Sequence, residues 1–352
     1  MTSNRIILAD LQTIVAASIA WEKFANTTIL ISGANGFLPA YLVETLLYLN
    51  ETKPGLNLTV IALVRNVEKA RKRFASYLNN KSLRFVVADV SDEIKIDGRV
   101  DYIIHAASQA SPKYYGTDPV GTLQANVLGT INLIKLARLH KVTSFLYFSS
   151  GEVYGEVDSR WMPVSEDRYG YIDPMNVRSC YAESKRMGET ICVSWHKQYQ
   201  VPAKIVRPFH TYGPGMSLDD GRVYADFVSN IIKGENIQMK SDGSAKRAFC
   251  YLADASIAFF MVLLEGRPAY AYNVGNPAEE HSILSLAKTL CNLYPEKGLQ
   301  VHELPESGSS NYLRSALTRN SPDITRISEL GWVPVTGIRE GFERTIESYS
   351  NK

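Results

Sequence analysis

The sequence lacks several features that would assign it to a specialised class of protein. Its four cysteines are scattered without close pairing, which is typical of a reduced cytoplasmic protein and argues against a disulfide framework. Its six histidines are equally dispersed, so no metal site is predicted. The net charge is only +2, which gives no field that would favour binding to nucleic acid or to an anionic membrane.

Long apolar runs are also missing. No uninterrupted apolar stretch approaches the roughly 20 residues that a membrane span needs, and no repeat, charge block or low-complexity linker divides the chain. Residues 11–20 faintly resemble the apolar part of a signal peptide, but Ile7, Leu11 and Ile14 fit one face of a helix. We therefore expect residues 1–26 to form an N-terminal helical extension.

What the sequence does contain is a regular alternation of short apolar runs and helical patterns. The runs predict strands at Thr28–Ser32, Asn57–Val64, Leu83–Ala88, Val100–Ala106, Ser144–Ser149, Ala203–Arg207 and Ala271–Val274. The helical patterns include Val67–Leu78, Pro119–Leu139 and a stretch around Tyr181. This alternation favours an α/β fold with a doubly wound, parallel Rossmann sheet.

The length of 352 residues accommodates a second, smaller unit. We expect the dinucleotide-binding domain to span residues 27–208 plus 271–276. The remaining residues, 209–270 and 277–352, are expected to form a smaller C-terminal α/β lobe that binds the substrate.

A glycine turn follows the first predicted strand. Gly33 and Gly36 would let the backbone approach a pyrophosphate at the start of the next helix, where unpaired N–H groups and the helix dipole favour an anion. Pro39 replaces the last glycine of the usual fingerprint, so the close packing of helix on strand must be achieved another way. The residues of this turn that we expect to contact a dinucleotide are Gly33, Asn35, Gly36, Phe37 and Leu38.

The second predicted strand ends without an acidic residue. An acid there would hydrogen-bond the ribose 2′-hydroxyl of NAD, whereas an Arg suits the 2′-phosphate of NADP. This chain has Arg65, so the local chemistry leans to NADP, although an Arg can also stack on adenine. Asp89, after the third strand, is placed to reach an adenine edge or to cap an ordinary turn.

Tyr181 and Lys185 are four residues apart in a predicted helix, so a phenol and an ammonium share one helical face. A phenol has an ordinary pKa near 10, and a cation beside it favours the phenolate. The pair therefore predicts proton transfer near neutral pH. This spacing is common by chance, and the glycine turn upstream is what supports the catalytic interpretation over an ordinary solvated pair.

Further motifs establish a family resemblance. They are His105-Ala-Ala-Ser108, Ser149-Ser150-Gly-Glu152-Val-Tyr154-Gly155 and Arg207-Pro-Phe-His-Thr-Tyr-Gly-Pro214. Together with Tyr181 and Lys185 they resemble the extended short-chain dehydrogenases that act on nucleotide sugars, over about residues 28–349. Within that family, seven further phrases are similar to the UDP-glucuronate decarboxylases: Ala110-Ser-Pro-Lys-Tyr-Tyr115, Ser165-Glu-Asp167, Arg178-Ser-Cys-Tyr-Ala-Glu-Ser-Lys-Arg-Met-Gly-Glu-Thr190, Asp220-Gly-Arg-Val223, Arg247-Ala-Phe-Cys-Tyr251, Asn273-Val-Gly-Asn-Pro277 and Pro322-Asp-Ile324.

The resemblance implies a mechanism in which the sugar is oxidised at carbon 4. Tyr181 would remove the proton from the carbon-4 hydroxyl while a hydride passes to nicotinamide, and Ser150 would orient that hydroxyl. Lys185 would hold the nicotinamide ribose and lower the pKa of the tyrosine, and Glu152 would be the second acid/base group.

The resemblance also implies further contacts. Those to the cofactor are Val90, Ala106, Ala107, Ser108, Asn126 and Arg207, besides Arg65, Asp89, Tyr181 and Lys185. Those to the nucleotide sugar are Ser111, Tyr114, His210, Arg222 and Arg247, with the last two as clamps on the diphosphate. The family pairs the helices at Pro119–Leu139 and Tyr181–Gln198 in a C2 homodimer, which we expect here.

Two residues depart from the family pattern. Gly151 stands where the 4,6-dehydratases have Asp and the decarboxylases have Ser, so dehydration lacks its acid and decarboxylation is less well supported. Arg65 stands where these enzymes mostly keep an acid for NAD. We favour NAD because an Arg can stack on adenine, and NADP stays open.

The alternatives divide by reaction and by class. Decarboxylation of a UDP-uronate is the first choice, and 4,6-dehydration, epimerisation and simple 4-oxidation remain open. A non-catalytic dinucleotide sensor is the alternative from another class, but it predicts a broken Ser150, Tyr181 and Lys185 set, and all three are present. A reductase of small ketones would suit Arg65 but would not need the two Arg clamps.

Overall fold

The computed structural model describes residues 2–239, 241–303 and 318–350. Its strands are β1 Thr28–Ser32, β2 Thr59–Val64, β3 Leu83–Val87, β4 Tyr102–His105, β5 Ser144–Phe148, β6 Ala203–Pro208, β7 Thr211–Tyr212, β8 Ile237–Met239, β9 Lys246–Ala248, β10 Cys250–Tyr251, β11 Ala271–Val274, β12 Glu280–Ser282, β13 Val301–Glu303 and β14 Arg319–Asn320. Its helices are α1 Arg5–Ala16, α2 Phe37–Thr52, α3 Val67–Arg73, α4 Pro112–Thr117, α5 Pro119–His140, α6 Ser179–Tyr199, α7 Val223–Lys233, α8 Leu252–Glu265, α9 Ile283–Cys291, α10 Thr325–Ser328 and α11 Ile338–Ser350.

Seven parallel strands form the central sheet, in the order β11-β6-β5-β4-β1-β2-β3. Strand β1 pairs with β2 on one side and with β4 on the other, so the chain order reverses between β1 and β4. Strands β4, β5 and β11 are buried along their whole length, which explains why their sequences read as continuous apolar runs. The predicted doubly wound parallel sheet is confirmed. Its crevice lies at the carboxyl ends of the strands where the order reverses.

All seven predicted strands of the central sheet form, with ends that differ by up to two residues. Strand β2 begins at Thr59 because Asn57 has a φ of 49°, which is left-handed and cannot extend a strand. The helix predicted to reach Leu78 stops as α3 at Arg73, and the chain continues as a short 3₁₀ turn at Ala75–Tyr77.

Helix α1 packs against α2, α8 and α11 and joins the sheet domain to the end of the chain. Asp10 of α1 is fully buried, and its carboxylate accepts hydrogen bonds from Tyr41 at 2.7 Å and Tyr251 at 2.8 Å. The same carboxylate forms an ion pair with Arg344 of α11. The predicted N-terminal helix therefore forms and is part of the core.

The later part of the chain forms three small sheets, β10-β7, β12-β9-β14 and β13-β8, with helices α7, α9 and α11 beside them. This agrees with the expected smaller α/β lobe, whose exact boundaries remain a prediction. Residues 304–317 and 351–352 of that expected lobe lie outside the described residues. Among the helices in the described ranges, none is long and apolar enough to cross a membrane.

Candidate active site

The predicted site residues collect at the carboxyl ends of the central strands. Residues 33–38 follow β1, Arg65 follows β2, Asp89 and Val90 follow β3, Ala106 to Ser108 follow β4, and Ser150 and Glu152 follow β5. Helix α6 then carries Tyr181 and Lys185 past the same edge of the sheet. The topology thus brings residues that are more than a hundred positions apart in sequence into one crevice.

The glycine turn has the geometry of an anion cradle. Gly33 has a φ of +65°, and a Cβ built on it would lie 2.7 Å from the Cα of Ala107, so the loops after β1 and β4 pass too closely for a side chain. Gly36 is the N-cap residue of α2 and provides no side-chain cap. The first N–H groups of α2 are therefore directed at the crevice and suit the pyrophosphate of a dinucleotide.

Ser32 fixes the second wall of this cradle. Its Oγ accepts hydrogen bonds from the backbone N–H groups of Ala106 and Ala107, each at 3.2 Å, and lies 2.8 Å from Nδ1 of His105. His105 Nε2 contacts Thr130 Oγ1 at 3.1 Å. Burial lowers the pKa of His105 to about 3, so this ring is neutral and serves to brace the loop.

Arg65 and Asp89 face each other across the ends of β2 and β3. The distance from Nη1 of Arg65 to Oδ2 of Asp89 is 3.7 Å, and both side chains are substantially exposed. The sequence has no acid at the end of β2, but the fold places one beside it. The predicted adenosine end of the site therefore contains both a cation and a carboxylate.

Tyr181 lies buried beneath Ser150. Burial raises the pKa of Tyr181 to about 12, and its hydrogen bond with Ser150 opposes that rise. Lys185 is also buried; its Nζ donates to the Phe148 carbonyl at 2.7 Å and lies 5.8 Å from the centre of the Tyr181 ring. Burial lowers the pKa of Lys185 to about 7.

These values correct one expectation from the sequence. The sequence predicts that Lys185 lowers the pKa of Tyr181, but in this structure the loss of hydration on burial raises it. The amine itself is directed to a backbone carbonyl rather than to the phenol. The two residues nevertheless share one face of α6 at the crevice, as their spacing predicts.

Glu152 forms a two-pronged ion pair with Arg178. Nη1 of Arg178 lies 3.2 Å from Oε2 of Glu152, and Nη2 of Arg178 lies 3.4 Å from Oε1 of Glu152. The neighbouring Gly151 is closely covered, because a Cβ there would lie 3.1 Å from the ring of Phe209. The segment after β5 therefore presents one carboxylate, and it is held by an Arg.

Sequence reasoning missed two residues here. The Tyr115 ring stacks on the Tyr181 ring with the centres 5.0 Å apart and an interplanar angle of 18°, and the Arg178 guanidinium carbon lies 5.8 Å from the Tyr115 centre. Both residues belong to phrases that carry the family resemblance, and Arg178 stands one helical turn before Tyr181. That spacing was the available signal for Arg178, whereas nothing local marks Tyr115.

Two of the predicted substrate residues, Ser111 and Arg222, lie on segments that contact each other. Ser111 donates a hydrogen bond to the carbonyl oxygen of Asp220, and Nη2 of Arg222 lies 3.4 Å from the carbonyl oxygen of Ala110. Arg222 also contacts Tyr224 at 3.1 Å. Burial lowers the pKa of His210 well below its usual value, and the charges of Arg247 and Arg222 add to this effect. His210 is therefore neutral, whereas Tyr114 is exposed on α4.

Three predicted site residues hold buried polar atoms without a hydrogen-bond partner among the residues the structure describes. These atoms are Ser108 Oγ, Asn126 Oδ1 and His210 Nδ1. Most buried polar groups in proteins are paired, so unpaired groups around one crevice suit a bound polar ligand. Asn126 also donates a hydrogen bond from Nδ2 to Ser184 Oγ at 2.9 Å, and this bond connects α5 to α6.

Arg207 has a different role from the predicted one. Its guanidinium makes five hydrogen bonds: two to the Glu189 carboxylate, and one each to Tyr154 Oη, Tyr169 Oη and the Glu166 carbonyl. A guanidinium has five N–H donors, so this residue has none left for a cofactor. Arg207 and Glu189 form a buried ion pair beneath the site, and we do not retain Arg207 as a cofactor contact.

Comparisons with known proteins agree with this geometry. Residues 29–275 match the NAD dependent epimerase/dehydratase family. The chain is 33% identical over 326 residues to UDP-glucuronic acid decarboxylase 5 of Arabidopsis thaliana, which covers 92% of this chain and 90% of the relative.

Two solved structures share the fold. A UDP-glucuronic acid 4-epimerase from Bacillus cereus, in complex with UDP-glucuronic acid and NAD, aligns with a TM-score of 0.76 at 21% identity and covers 92% of this chain and 99% of its own. A dTDP-glucose 4,6-dehydratase from Streptomyces venezuelae with NAD bound aligns with a TM-score of 0.78 at 24% identity, over 93% and 98% of the two chains. The glycine cradle, the Tyr181 and Lys185 pair and the match over most of the domain together show that this chain belongs to the NAD-dependent epimerase/dehydratase family.

Proposed function

We propose that the protein oxidises a nucleotide sugar at carbon 4 with NAD as cofactor, and that its net reaction is the decarboxylation of UDP-glucuronate. The observation that carries the proposal is the convergence of Ser150, Tyr181, Lys185 and Glu152 beside an anion cradle at one edge of the sheet. The decarboxylase relatives, which match over 92% of the chain, support the choice of reaction.

The residues divide the oxidation between them. Tyr181 would accept the proton of the carbon-4 hydroxyl, and Ser150, which is hydrogen-bonded to Tyr181, would orient that hydroxyl. When bound, the oxidised nicotinamide supplies the acceptor for the hydride, and its positive charge favours the Tyr181 phenolate. Lys185 would hold the nicotinamide ribose, for which it must release its bond to Phe148 or share it. Burial of Tyr181 and Lys185 excludes water from this transfer.

The segment after β5 favours decarboxylation over dehydration. Dehydration needs a proton donor for the departing hydroxyl, and a side chain at position 151 would meet the Phe209 ring. The carboxylate of Glu152 already accepts hydrogen bonds from Arg178 at both of its oxygens, and this engagement suits an electrostatic role. A 4-keto uronate is a β-keto acid. It loses carbon dioxide as the bond between carbons 5 and 6 breaks and the electron pair moves towards the keto oxygen, which gives an enolate. To yield the pentose, the enolate would take a proton from water at carbon 5. The hydride would then return to carbon 4 while Tyr181 returns its proton to the carbon-4 oxygen.

The adenosine end of the site favours NAD. A 2′-phosphate at Arg65 would also face the Asp89 carboxylate, 3.7 Å from the guanidinium, and the two negative groups would repel each other. A neutral 2′-hydroxyl avoids this repulsion, and Arg65 is exposed enough to stack on adenine. We therefore keep NAD as the cofactor and treat Arg65 as a contact to the adenosine.

The substrate would occupy the crevice between the loops that carry Ser111 and Arg222. Arg222 and Arg247 would provide positive charge for a diphosphate. His210 is neutral, and its buried Nδ1 is available for a further hydrogen bond. Arg247 lies on β9 of the smaller lobe. The site thus draws on both parts of the chain, as expected for a nucleotide sugar held between two lobes.

Mass spectrometry of products from a panel of UDP, dTDP, GDP and CDP sugars tests the reaction. We expect UDP-glucuronate to lose carbon dioxide and yield a UDP-pentose. A UDP-hexuronate of unchanged mass that separates from the substrate by liquid chromatography would instead identify an epimerase, and a 4-keto sugar as the only product would identify a 4-dehydrogenase. Lack of conversion of every sugar, despite NAD binding, would support a non-catalytic dinucleotide sensor.

Glu152→Gln separates the later chemistry from the oxidation. If Glu152 acts after carbon-4 oxidation, the variant should accumulate reduced nicotinamide and a 4-keto sugar, seen as absorbance that rises and persists. A fully active variant would show that Glu152 only braces the turn.

We also propose that the protein is a cytoplasmic C2 homodimer. Helices α5 and α6 pack against each other and present exposed apolar side chains, including Val120, Leu123, Leu128, Met187 and Val193. Such residues suit a four-helix contact between two copies. The free thiols of Cys180, Cys192, Cys250 and Cys291 suit a reducing compartment. Light scattering that detects only monomer at micromolar concentration would refute the dimer.

A further inference from the structure

Arg178 lies at the start of the catalytic helix, as the N-cap residue of α6. Its side chain turns back to the segment after β5, where both terminal nitrogens contact the Glu152 carboxylate at 3.2 and 3.4 Å. The side chains of Arg178 and Glu152 are 19% and 24% exposed. This is therefore an enclosed, two-pronged pair rather than one of the solvent-exposed ion pairs that contribute little.

The two side chains depend on each other. Among the described residues, the Glu152 carboxylate has no other hydrogen-bond partner, and the buried Nε of Arg178 has no acceptor at all. Nothing else in the described structure fixes the direction of that carboxylate. The orientation of Glu152 in the crevice is consequently set by the guanidinium.

Arg178 also contacts the oxidation half of the site through an aromatic ring. Its guanidinium carbon lies 5.8 Å from the centre of the Tyr115 ring, and Tyr115 stacks on Tyr181 at 5.0 Å. Tyr115 is itself fixed, because it is almost completely buried and donates to the Ala110 carbonyl at 3.1 Å. The Arg is thereby confined between a rigid ring and the carboxylate it holds.

We propose that Arg178 is a positioning residue for the step after oxidation: it holds the Glu152 carboxylate in one direction in the crevice where the sugar would lie. This inference rests on the proposed function. It predicts that loss of the guanidinium leaves hydride transfer from carbon 4 largely intact and slows the conversion of the 4-keto intermediate. A planar fork is needed for two parallel bonds, so Lys, which keeps the charge but not the fork, should restore only part of the rate.

The experiment compares Arg178→Gln and Arg178→Lys with Arg160→Gln. Arg160 is a matched control because it also pairs with a carboxylate, Asp158, in the same part of the chain, but it is 81% exposed and far less confined. Each purified protein is mixed with NAD and UDP-glucuronate, and nicotinamide absorbance and carbon dioxide release are followed over a single turnover and at steady state. Thermal unfolding of each variant checks that it is folded.

We expect Arg178→Gln to reduce nicotinamide within a few-fold of the wild-type rate, while steady-state turnover falls by about a hundredfold, the loss associated with misplacement of a catalytic group by about 1 Å. Reduced cofactor should persist in this variant. Arg178→Lys should lie between it and the wild type, and added guanidinium ion should raise the turnover of Arg178→Gln but not that of Arg160→Gln.

Two results would overturn the inference. One is turnover of Arg178→Gln within twofold of Arg160→Gln. The other is an equal loss of nicotinamide reduction and turnover in Arg178→Gln, which would indicate a general structural role. If the wild-type protein oxidises no nucleotide sugar, the proposed function fails, and the inference fails with it. If the wild type is active and one of the two results above is obtained, only the inference about Arg178 fails. The wild-type reaction therefore distinguishes the two failures.

Discussion

Gly33→Ala tests whether the close approach of two loops builds the cofactor site. The added Cβ would lie 2.7 Å from the Cα and 3.0 Å from the backbone N of Ala107, distances that require backbone movement. Gly33 also has a φ of +65°, where a residue with a Cβ costs about 1–2 kcal/mol. Forcing an atom into a filled space adds about 1–3 kcal/mol. The variant should therefore lose about 2–5 kcal/mol of folding free energy or relieve part of this by shifting the cradle.

Gly234 provides the matched control. It has a φ of +71°, almost the same backbone conformation, but no atom lies within 4 Å of a Cβ built there. Gly234→Ala should therefore cost only the conformational part, about 1–2 kcal/mol. The difference between the variants, about 1–3 kcal/mol, isolates the contact with Ala107 and corresponds to about a 5- to 150-fold loss of NAD affinity if it is expressed at the cradle.

The measurements are urea unfolding of both variants and calorimetric titration with NAD. We expect Gly234→Ala to bind NAD as the wild type does and Gly33→Ala to bind it about 5- to 150-fold more weakly, or to unfold at lower urea. The reasoning is refuted if Gly33→Ala matches Gly234→Ala in both measurements, because the cofactor would then not depend on the contact between the loops after β1 and β4.

Three further predictions follow from particular contacts. Tyr181→Phe keeps the ring that stacks on Tyr115 but removes the proton-transfer group, so NAD binding should survive while turnover falls by about a hundredfold to ten-thousandfold; near-normal turnover would remove the central claim. Arg65→Ala should weaken NAD binding by calorimetry because adenosine loses a contact, and a much larger loss for NADP than for NAD would show instead that Arg65 reads a 2′-phosphate. Burial lowers the pKa of His105 to about 3 from an ordinary value near 6.5, so the stability it contributes is complete above about pH 6.5 and falls as the pH drops towards 3. The His105→Gln side chain takes up no proton, so the melting temperature of this variant should decrease less than that of the wild type between about pH 7 and about pH 5. An equal decrease would show that His105 is not the group that titrates.

The sequence by itself determined the central sheet and most of the site's location. Short apolar runs that alternate with helical patterns favour inner strands of a parallel sheet, and parallel strands bring all their carboxyl ends to one edge. Residues that follow strands, such as Gly33, Asp89 and Ser150, were therefore predictable as neighbours without any knowledge of long-range packing. The pairing of Tyr181 with Lys185 was predictable as well, because it depends only on helical spacing.

Only the tertiary structure decided the partners and the charges of these residues. Arg207 belongs to a family phrase, but the fold buries it against Glu189, which accepts two of its five hydrogen bonds, and other protein groups accept the remaining three. The sequence shows no acid at the end of β2, whereas the sheet places Asp89 beside Arg65.

The pKa values of Tyr181 and Lys185 were decided in the same way. Spacing suggests a cation that lowers the pKa of a phenol, but burial raises the pKa of Tyr181 to about 12 and lowers that of Lys185 to about 7. Desolvation depends on every atom packed around a group, and the directions of hydrogen bonds depend on residues distant in the chain, as for Glu152 and Arg178. A local sequence pattern contains neither the extent of burial nor the directions of these hydrogen bonds. The sequence therefore predicted which residues lie at the candidate site, and the tertiary structure decided their pKa values and their partners.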